Sequence, residues 1–363
     1  MQPQSPMRTI DISLFTSVHD ISGREDAAKS LVEACHELGF VNIVGHGLPP
    51  EAIKEAFVWT QRLFDLSLED KMKAPHPATQ TPHRGYSGIG KEKVYSQKEA
   101  SEADNRIDPR DSLRKIEDYK ESYEIGSEND DQQPNIWLPN DVLPGFRKFM
   151  TDFYEKLTAL ADLLLEVFAI GLRLPEAEQT SLKGLNSRHY NQLRLLNYPT
   201  IEKERIEHDI LARMPAHTDW GSFTILFQDA IGGLELQEAA SKTFIDAEPQ
   251  AGALVLNIGD MFQRFTNGTN AISNDNRHTR VDFPLTLDAG YFLSPSHRVR
   301  IPCKTGEQAS IPRRISIPFF VMPDPKLVIT PLTKFVSESR PAKYEPVRFR
   351  DYEKHVSRYQ YND

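Results

Sequence analysis

The chain lacks the features of secreted, membrane-spanning and nucleic-acid-binding proteins. Only two of its 363 residues are cysteines, Cys35 and Cys303, which are too few for a disulfide framework. We expect both to be buried structural residues of a reduced, cytoplasmic protein. No apolar run approaches the roughly 20 residues of a membrane span, and residues 1–9 lack the apolar region of a signal peptide. The net charge of −9 disfavours non-specific nucleic-acid binding.

Helical and extended patterns alternate in the first half of the chain. The spacing of apolar residues predicts helices over 24–38, 50–66 and 145–171 and a buried strand over 40–44. The helix over 145–171 has the longest apolar stripe. Residues 96–118 are highly charged and poor in apolar side chains, which predicts a solvated excursion.

After residue 190 the sequence pattern changes to one that predicts short strands and turns. Predicted strands lie over 193–198, 222–228, 234–237, 253–258 and 315–321. Many short strands at close spacing are typical of a β-sandwich or barrel. The last 30 residues are polar and predict a helical tail.

His217-Thr218-Asp219 places two metal-ligand side chains one residue apart at the head of a strand-like run. Residues i and i+2 of a strand face the same side, so the imidazole and the carboxylate can bind one ion. One more histidine, for which His278 and His297 are candidates, would complete the two-His, one-carboxylate set of non-haem Fe(II) oxygenases. Such short pairs also arise by chance, so the motif alone leaves the question open.

Further motifs occur in a fixed order along nearly the whole chain. They are Gly39-Phe40-Val41-Asn42-Ile43, Gly45-His46-Gly47, Leu195-Leu196-Asn197-Tyr198-Pro199, Gly232-Gly233-Leu234, Thr266-Asn267-Gly268, His297-Arg298-Val299 and Arg314-Ile315-Ser316-Ile317. Together with the His-x-Asp pair they resemble the isopenicillin-N-synthase-like Fe(II)/2-oxoglutarate dioxygenases (iron/ascorbate-dependent oxidoreductases), in their fungal and microbial, thymine-hydroxylase-like branch.

The resemblance implies a mainly β fold with flanking helices. A double-stranded β-helix (jelly-roll) core is expected over 186–325. An N-terminal dioxygenase region over 1–145, bracing helices over 146–185 and a C-terminal helical tail over 326–363 would surround it.

The resemblance also implies the ligands of the site. His217, Asp219 and His297 would hold Fe(II) and leave positions open for 2-oxoglutarate and O2, with ascorbate as a reductant. Arg314 and Ser316, which share a strand face, would bind the far carboxylate of 2-oxoglutarate with Tyr198, because a planar guanidinium makes two parallel hydrogen bonds to a carboxylate. Arg314 could instead form a structural salt bridge, and Tyr198 could be a core residue.

One stretch departs from the family pattern. Gly268 lies 29 residues before His297, and removing residues 269–290 restores the family spacing between Thr-Asn-Gly and His-Arg-Val. We interpret residues 269–290 as a retained intron or a surface-loop insertion, with His297 as the iron ligand. An insert between two ligands of one site could displace the second histidine and impair the protein.

Arg84 and Tyr86, in Arg84-Gly85-Tyr86-Ser87, resemble family segments on the substrate side of the barrel. Alternatively, Arg84 is structural and pairs with Glu121 or Glu124.

The expected reaction is oxidation, above all hydroxylation, of a C–H bond in a small aromatic or heterocyclic molecule, in natural-product (secondary) metabolism or N-heterocycle catabolism. Desaturation and ring chemistry stay open. The alternatives are an oxidase of the same fold that uses no 2-oxoglutarate and a non-catalytic protein on a decayed oxygenase fold.

Overall fold

A computed structural model describes residues 7–17, 23–78, 83–92, 117–186, 190–202, 211–239, 241–268, 291–301 and 310–357. The predicted excursion, apart from its last two residues, lies outside the described residues. So do residues 269–290, His278 and Cys303. Cys35 is buried, as predicted, and burial raises the pKa of its thiol.

The helices of the described residues agree with the apolar spacing. They are α1 (Ser13–Thr16), α2 (Arg24–Leu38), α3 (Pro50–Phe64), α4 (Leu68–Lys71), α5 (Phe146–Gly171), α6 (Glu176–Gly184), α7 (Asp260–Phe265) and α8 (Phe349–Ser357). The predicted helices over 24–38, 50–66 and 145–171 are confirmed to within two residues. Helix α2 ends at Gly39, whose φ of 70° lies in the left-handed region that glycine adopts without strain.

The largest sheet, which we call the major sheet, has eight strands. They are β1 (Thr9–Asp11), β2 (Phe40–Val44), β3 (Gly85–Ser87), β5 (Glu121–Ile125), β6 (Gln192–Tyr198), β10 (Phe223–Gln228), β13 (Leu254–Ile258) and β16 (Arg314–Val321). Their order across the sheet is β1-β2-β13-β10-β16-β6-β5-β3. All pairs are antiparallel except β1 with β2.

A second sheet, the minor sheet, has four strands. They are β9 (Met214–His217), β11 (Leu234–Gln237), β12 (Phe244–Asp246) and β14 (His297–Val299), in the order β12-β11-β14-β9. Shorter pairs join β4 (Glu117–Asp118) with β8 (Leu211–Ala212), β7 (Ile201–Glu202) with β15 (Ser310–Ile311), and β17 (Val328–Ile329) with β18 (Val347–Arg348). Side chains from both large sheets line one cavity, which therefore lies between them, as the predicted jelly-roll core requires.

Strand β16 illustrates how the major sheet separates two environments. Its odd-numbered residues, Ile315, Ile317, Phe319 and Val321, join the large apolar core with the helices. Its even-numbered residues, Arg314, Ser316, Pro318 and Phe320, line the cavity. Side chains alternate between the faces of a strand, so a strand buried on both faces can carry a continuous core on one and a polar site on the other.

Helix α5 covers the outer face of the major sheet. Phe153 and Phe168 place their rings 6.2 and 5.6 Å from Phe227 and Phe223 of β10, so the helix packs directly on this sheet. Gly171 is the last helical residue. A Cβ there would overlap the backbone of Ala28 in α2, so close helix packing requires the glycine.

The C-terminal segment differs from the predicted helical tail. Between residues 328 and 348 the chain forms β17, a short 3-10 turn (Thr333–Phe335) and β18, and within the described residues helix begins only at Phe349. Phe349 and Tyr352 are buried, so α8 is packed against the body. The composition did not reveal β17 and β18, because each has only two residues and leaves no alternating pattern. No helix among the described residues is long and apolar enough to span a bilayer.

Candidate metal and co-substrate site

Two neighbouring strands of the minor sheet bring together the histidines singled out in the sequence. His217 ends β9 and His297 begins β14, and these two residues are direct antiparallel partners. Their ring centroids lie 4.3 Å apart. Asp219 follows β9, and its Oδ1 atom lies 3.8 Å from Nε2 of His217 and 3.7 Å from Nε2 of His297. Sheet pairing thus joins residues that are 80 positions apart in the chain.

The spacing of these atoms fits one metal ion. One ligand atom from each residue lies within 4.8 Å of the others. Two atoms that each bind an ion at about 2.1 Å can be at most about 4.2 Å apart, so both carboxylate-to-histidine separations are already in range. Among the described residues this is the one group of three or more metal-ligand side chains that could hold an ion. His278 lies outside the described residues.

Prolines two residues upstream orient both imidazoles. Nδ1 of His217 lies 2.8 Å from the carbonyl oxygen of Pro215, and Nδ1 of His297 lies 3.2 Å from that of Pro295. A carbonyl only accepts, so each Nδ1 carries the hydrogen and donates. The lone pair of each Nε2 is then directed toward the shared point, as metal-ligating histidines require.

Two polar residues on the major sheet hold the carboxylate from the other side. Oδ2 of Asp219 accepts hydrogen bonds from Thr224 Oγ1 at 2.6 Å and from Asn257 Nδ2 at 2.7 Å. Oδ1 is therefore the oxygen presented to an ion. Sequence reasoning missed both residues. The available signal was that each is a polar residue between two apolar neighbours in β10 or β13.

The electrostatics of the group favour metal-binding protonation states. Burial and the neighbouring His297 lower the pKa of His217 to about 4, so its imidazole is neutral at pH 7. Burial alone would raise the pKa of Asp219, but His297, His217 and the hydrogen bonds from Thr224 and Asn257 outweigh it and hold the pKa below its ordinary value. A carboxylate and neutral imidazoles are the forms that bind metal.

Beside the metal group lies a buried arginine cluster. Arg314 and Ser316 are only 1% and 2% exposed, and both line the cavity with Tyr198, as strand alternation predicted. Nη1 of Arg314 donates to Ser316 Oγ at 3.0 Å, Nη2 donates to Gln228 Oε1 at 3.1 Å, and Nε has no hydrogen-bond partner. The guanidinium lies 5.2 Å from the centre of the Tyr198 ring. Gln228 was not anticipated.

The far end of the cavity is lined by polar and aromatic side chains. On β6, Gln192 and Arg194 face inward, and Trp220 and Phe320 join them. Glu124 accepts hydrogen bonds from both Gln192 Nε2 and Arg194 Nε. Arg194 Nη2 also donates to Glu92 at 2.7 Å, so carboxylates balance its charge.

Arg84 and Tyr86 do not line this cavity. The predicted substrate role is therefore not supported by their position. The alternative pairing of Arg84 with Glu121 or Glu124 was wrong, since its ion pair is with Asp130 at 3.4 Å. Tyr86 instead donates to Glu121 at 2.6 Å. Both side chains therefore make contacts outside the cavity, next to strands β3 and β5.

Comparison with known proteins gives the class. Residues 7–141 match the model of the non-haem dioxygenase N-terminal region (non-haem dioxygenase in morphine synthesis), and residues 190–323 match the 2OG-Fe(II) oxygenase superfamily. The chain belongs to this superfamily of 2-oxoglutarate-dependent Fe(II) dioxygenases, which confirms the resemblance, the jelly-roll core and the need for Fe(II), 2-oxoglutarate and O2.

Particular relatives are fungal. The 2-oxoglutarate-Fe(II) type oxidoreductase ppzD of Metarhizium rileyi is 32% identical, over 95% of this chain and 88% of the relative. Proline hydroxylase buaE of Petromyces alliaceus is 32% identical, over 90% and 91%. Among solved structures, the chain is similar to the crystal structure of the Neurospora crassa thymine-7-hydroxylase in complex with alpha-KG and thymine. The sequence identity is 27% and the TM-score is 0.78, and the superposition covers 99% of this chain and 98% of that one.

Proposed function

We propose that this dioxygenase hydroxylates a C–H bond of a small, uncharged ring compound that carries an N–H group. The observation that carries the proposal is that one cavity contains three groups. They are the metal group (His217, Asp219 and His297), the Arg314–Ser316 pair, and a compartment lined by the polar and aromatic side chains Gln192, Arg194, Trp220 and Phe320. The similarity to the Neurospora thymine-7-hydroxylase, whose structure contains thymine, and to a proline hydroxylase supports a small substrate. The fungal relatives support a place in natural-product metabolism.

His217, Asp219 and His297 would hold the iron. When bound, Fe(II) would supply the activation of O2, coupled to the oxidative decarboxylation of 2-oxoglutarate to succinate and CO2. All three side chains line the cavity, so an ion held by them would be accessible from it. Thr224 and Asn257 keep the Asp219 carboxylate from turning, so that the same oxygen stays in place throughout turnover.

Tyr198, Arg314 and Ser316 would bind the far carboxylate of 2-oxoglutarate. The guanidinium is oriented in advance by Ser316 and Gln228, and its unpartnered Nε fits a site that receives an anion. Charge-assisted bonds of this kind are about twice as strong as neutral ones. The arrangement argues against the reading in which Arg314 is a structural salt bridge, since its partners are neutral side chains.

Gln192 would orient the substrate. Its amide nitrogen donates to Glu124, so the amide oxygen is the atom left to accept a hydrogen bond from a substrate N–H. The compartment suits an uncharged molecule, because carboxylates already neutralise Arg194. Trp220 and Phe320 supply flat apolar surfaces for a ring.

The test is turnover of the Fe(II)-loaded protein with 2-oxoglutarate and a panel of cyclic amides, pyrimidine bases and their N-methylated forms. We expect succinate and a product heavier by one oxygen atom from N–H compounds, and poor coupling with N-methylated ones. Gln192→Leu should raise KM for the N–H substrate about tenfold, as one lost hydrogen bond implies. The control is Gln237→Leu, since the Gln237 amide donates to the Lys242 carbonyl outside this cavity.

Other outcomes would identify the alternatives. Substrate oxidation without succinate would indicate an oxidase that uses no 2-oxoglutarate. Failure to bind iron would indicate a non-catalytic protein. Equal turnover of N–H and N-methylated compounds would contradict the role given to Gln192 and leave the reaction class intact.

A further inference from the structure

A second buried arginine lies beside Tyr198. Arg213 sits between β8 and β9, is 0% exposed, and places its guanidinium carbon 5.9 Å from the centre of the Tyr198 ring. Arg314 approaches the same ring at 5.2 Å. The phenol ring therefore has two guanidinium neighbours. Only Arg314 lines the cavity and belongs to the Arg-x-Ser motif.

Arg213 has few partners for a buried cation. Its Nη2 donates to the carbonyl of Pro312 at 2.6 Å, whereas Nε and Nη1 have no hydrogen-bond partner. Burying a charged group with unsatisfied donors is unfavourable unless another interaction offsets it. Burial and the charge of Arg314 lower the pKa of Arg213 to about 10, and Tyr198 and Asp229 act in the opposite direction. The guanidinium thus stays charged at neutral pH.

Two positive charges around one ring favour an anion at that end of the cavity. Arg314 would contact such an anion, while Arg213 would act on it through Tyr198 and through its field. Removing one charge from a mostly buried site of this size is expected to weaken anion binding about tenfold. The same change should have little effect on a ligand that is uncharged at that end.

We propose that Arg213 is a positioning residue for the co-substrate, which holds the Tyr198 ring in place and supplies a second positive charge that selects a 2-oxo acid with a distal carboxylate. The inference rests on 2-oxoglutarate as co-substrate but on no particular primary substrate. A residue that only fills space would affect 2-oxo acids with and without that carboxylate alike.

The test compares 2-oxoglutarate with 2-oxopentanoate, which has the same chain length but ends in a methyl group. Calorimetric titration of Mn(II)-loaded protein gives both dissociation constants without turnover or primary substrate. Arg213→Gln removes the charge and keeps a donor for Pro312. Arg213→Lys keeps the charge. Thermal unfolding of each variant reports whether it folds.

We expect Arg213→Gln to weaken 2-oxoglutarate binding about tenfold and to change the affinity for 2-oxopentanoate less than twofold. For Arg213→Lys, we expect both dissociation constants to stay within threefold of those of the unaltered protein. Parallel loss for both acids, no loss in Arg213→Gln, or no 2-oxoglutarate binding by the unaltered protein would each overturn the proposal. If Arg213→Gln does not fold, Arg213→Lys decides. A tenfold selective loss of 2-oxoglutarate binding with the charge retained would refute the charge-based role, and retained selectivity would support it.

Discussion

Asn257 donates its side-chain amide to Oδ2 of Asp219 at 2.7 Å, while Oδ1 of the same carboxylate faces His217 and His297. The bond crosses from the major sheet to the end of the minor sheet. It therefore ties the orientation of the carboxylate ligand to the packing of the two sheets.

Replacing Asn257 with Leu should lower Fe(II) affinity by about 10- to 100-fold, the usual cost of losing a residue that orients a metal ligand. Anaerobic titration of the metal-free protein with Fe(II) measures it. The matched control is Asn42→Leu. Asn42 is as buried as Asn257, at 2% exposed, but its amide donates to Gln250. Equal losses in both variants would mean that Asn257 stabilises the sheet and does not orient the ligand.

Replacing Arg314 with Met should weaken 2-oxoglutarate binding about a hundredfold, since a charge-assisted pair of hydrogen bonds contributes roughly 3 kcal/mol. The neighbouring Arg313→Met is the control. Arg313 immediately precedes β16, does not line the cavity, and donates to Asn197 at 2.6 Å. Its loss should leave the 2-oxoglutarate dissociation constant unchanged. Similar effects of the two variants would argue against a specific co-substrate site at Arg314.

Deleting residues 269–290 should leave a folded protein whose Fe(II) affinity is within about threefold of the full chain. The flanking residues already meet, because the Tyr291 amide donates to the Thr266 carbonyl at 3.1 Å. In the shortened chain these would be the first and last residues of a four-residue turn. Asn267, at φ 53°, would be one of its central residues.

Succinate formation by the two forms would then decide the role of residues 269–290. Activity in both means that the segment is a tolerated insertion. Activity only in the shortened form means that it disturbs His297. Loss of iron binding on deletion would contradict the prediction. Transcript sequencing tests the intron hypothesis separately, and ribosome-bound mRNA that retains the segment would refute it.

The free energy of unfolding should decrease as the pH falls from 6.5 to 3, because of His83. Burial lowers the pKa of His83 from 6.5 to about 3. Below pH 6.5 the unfolded chain takes up a proton that the folded protein does not, so acid favours unfolding. The loss from this residue is about 2 kcal/mol at pH 5. Urea unfolding at pH 7 and pH 5 measures the free energy of unfolding. His83→Gln should remove that part of the difference, and an unchanged pH dependence would show that His83 titrates normally.

The sequence by itself determined the elements and much of the site. Apolar patterns were sufficient for α2, α3 and α5 and for five of the eight strands of the major sheet, β2, β6, β10, β13 and β16, because burial on a fixed face imposes such patterns. The His-x-Asp spacing and the Arg-x-Ser spacing each place two side chains on one face of a strand, which is a local property. The order of motifs indicated the class, which the comparisons confirmed.

Only the tertiary structure decided which distant residues meet. Pairing of β14 with β9 brings His297 to His217, and strand neighbours supply Thr224 and Asn257 to Asp219. The partner of Arg84 proved to be Asp130, not Glu121 or Glu124, since a long charged side chain pairs according to position in space. The strands β17 and β18 were also missed, because two-residue strands leave no alternating pattern in the sequence. Such contacts depend on the folded arrangement, which no local spacing encodes.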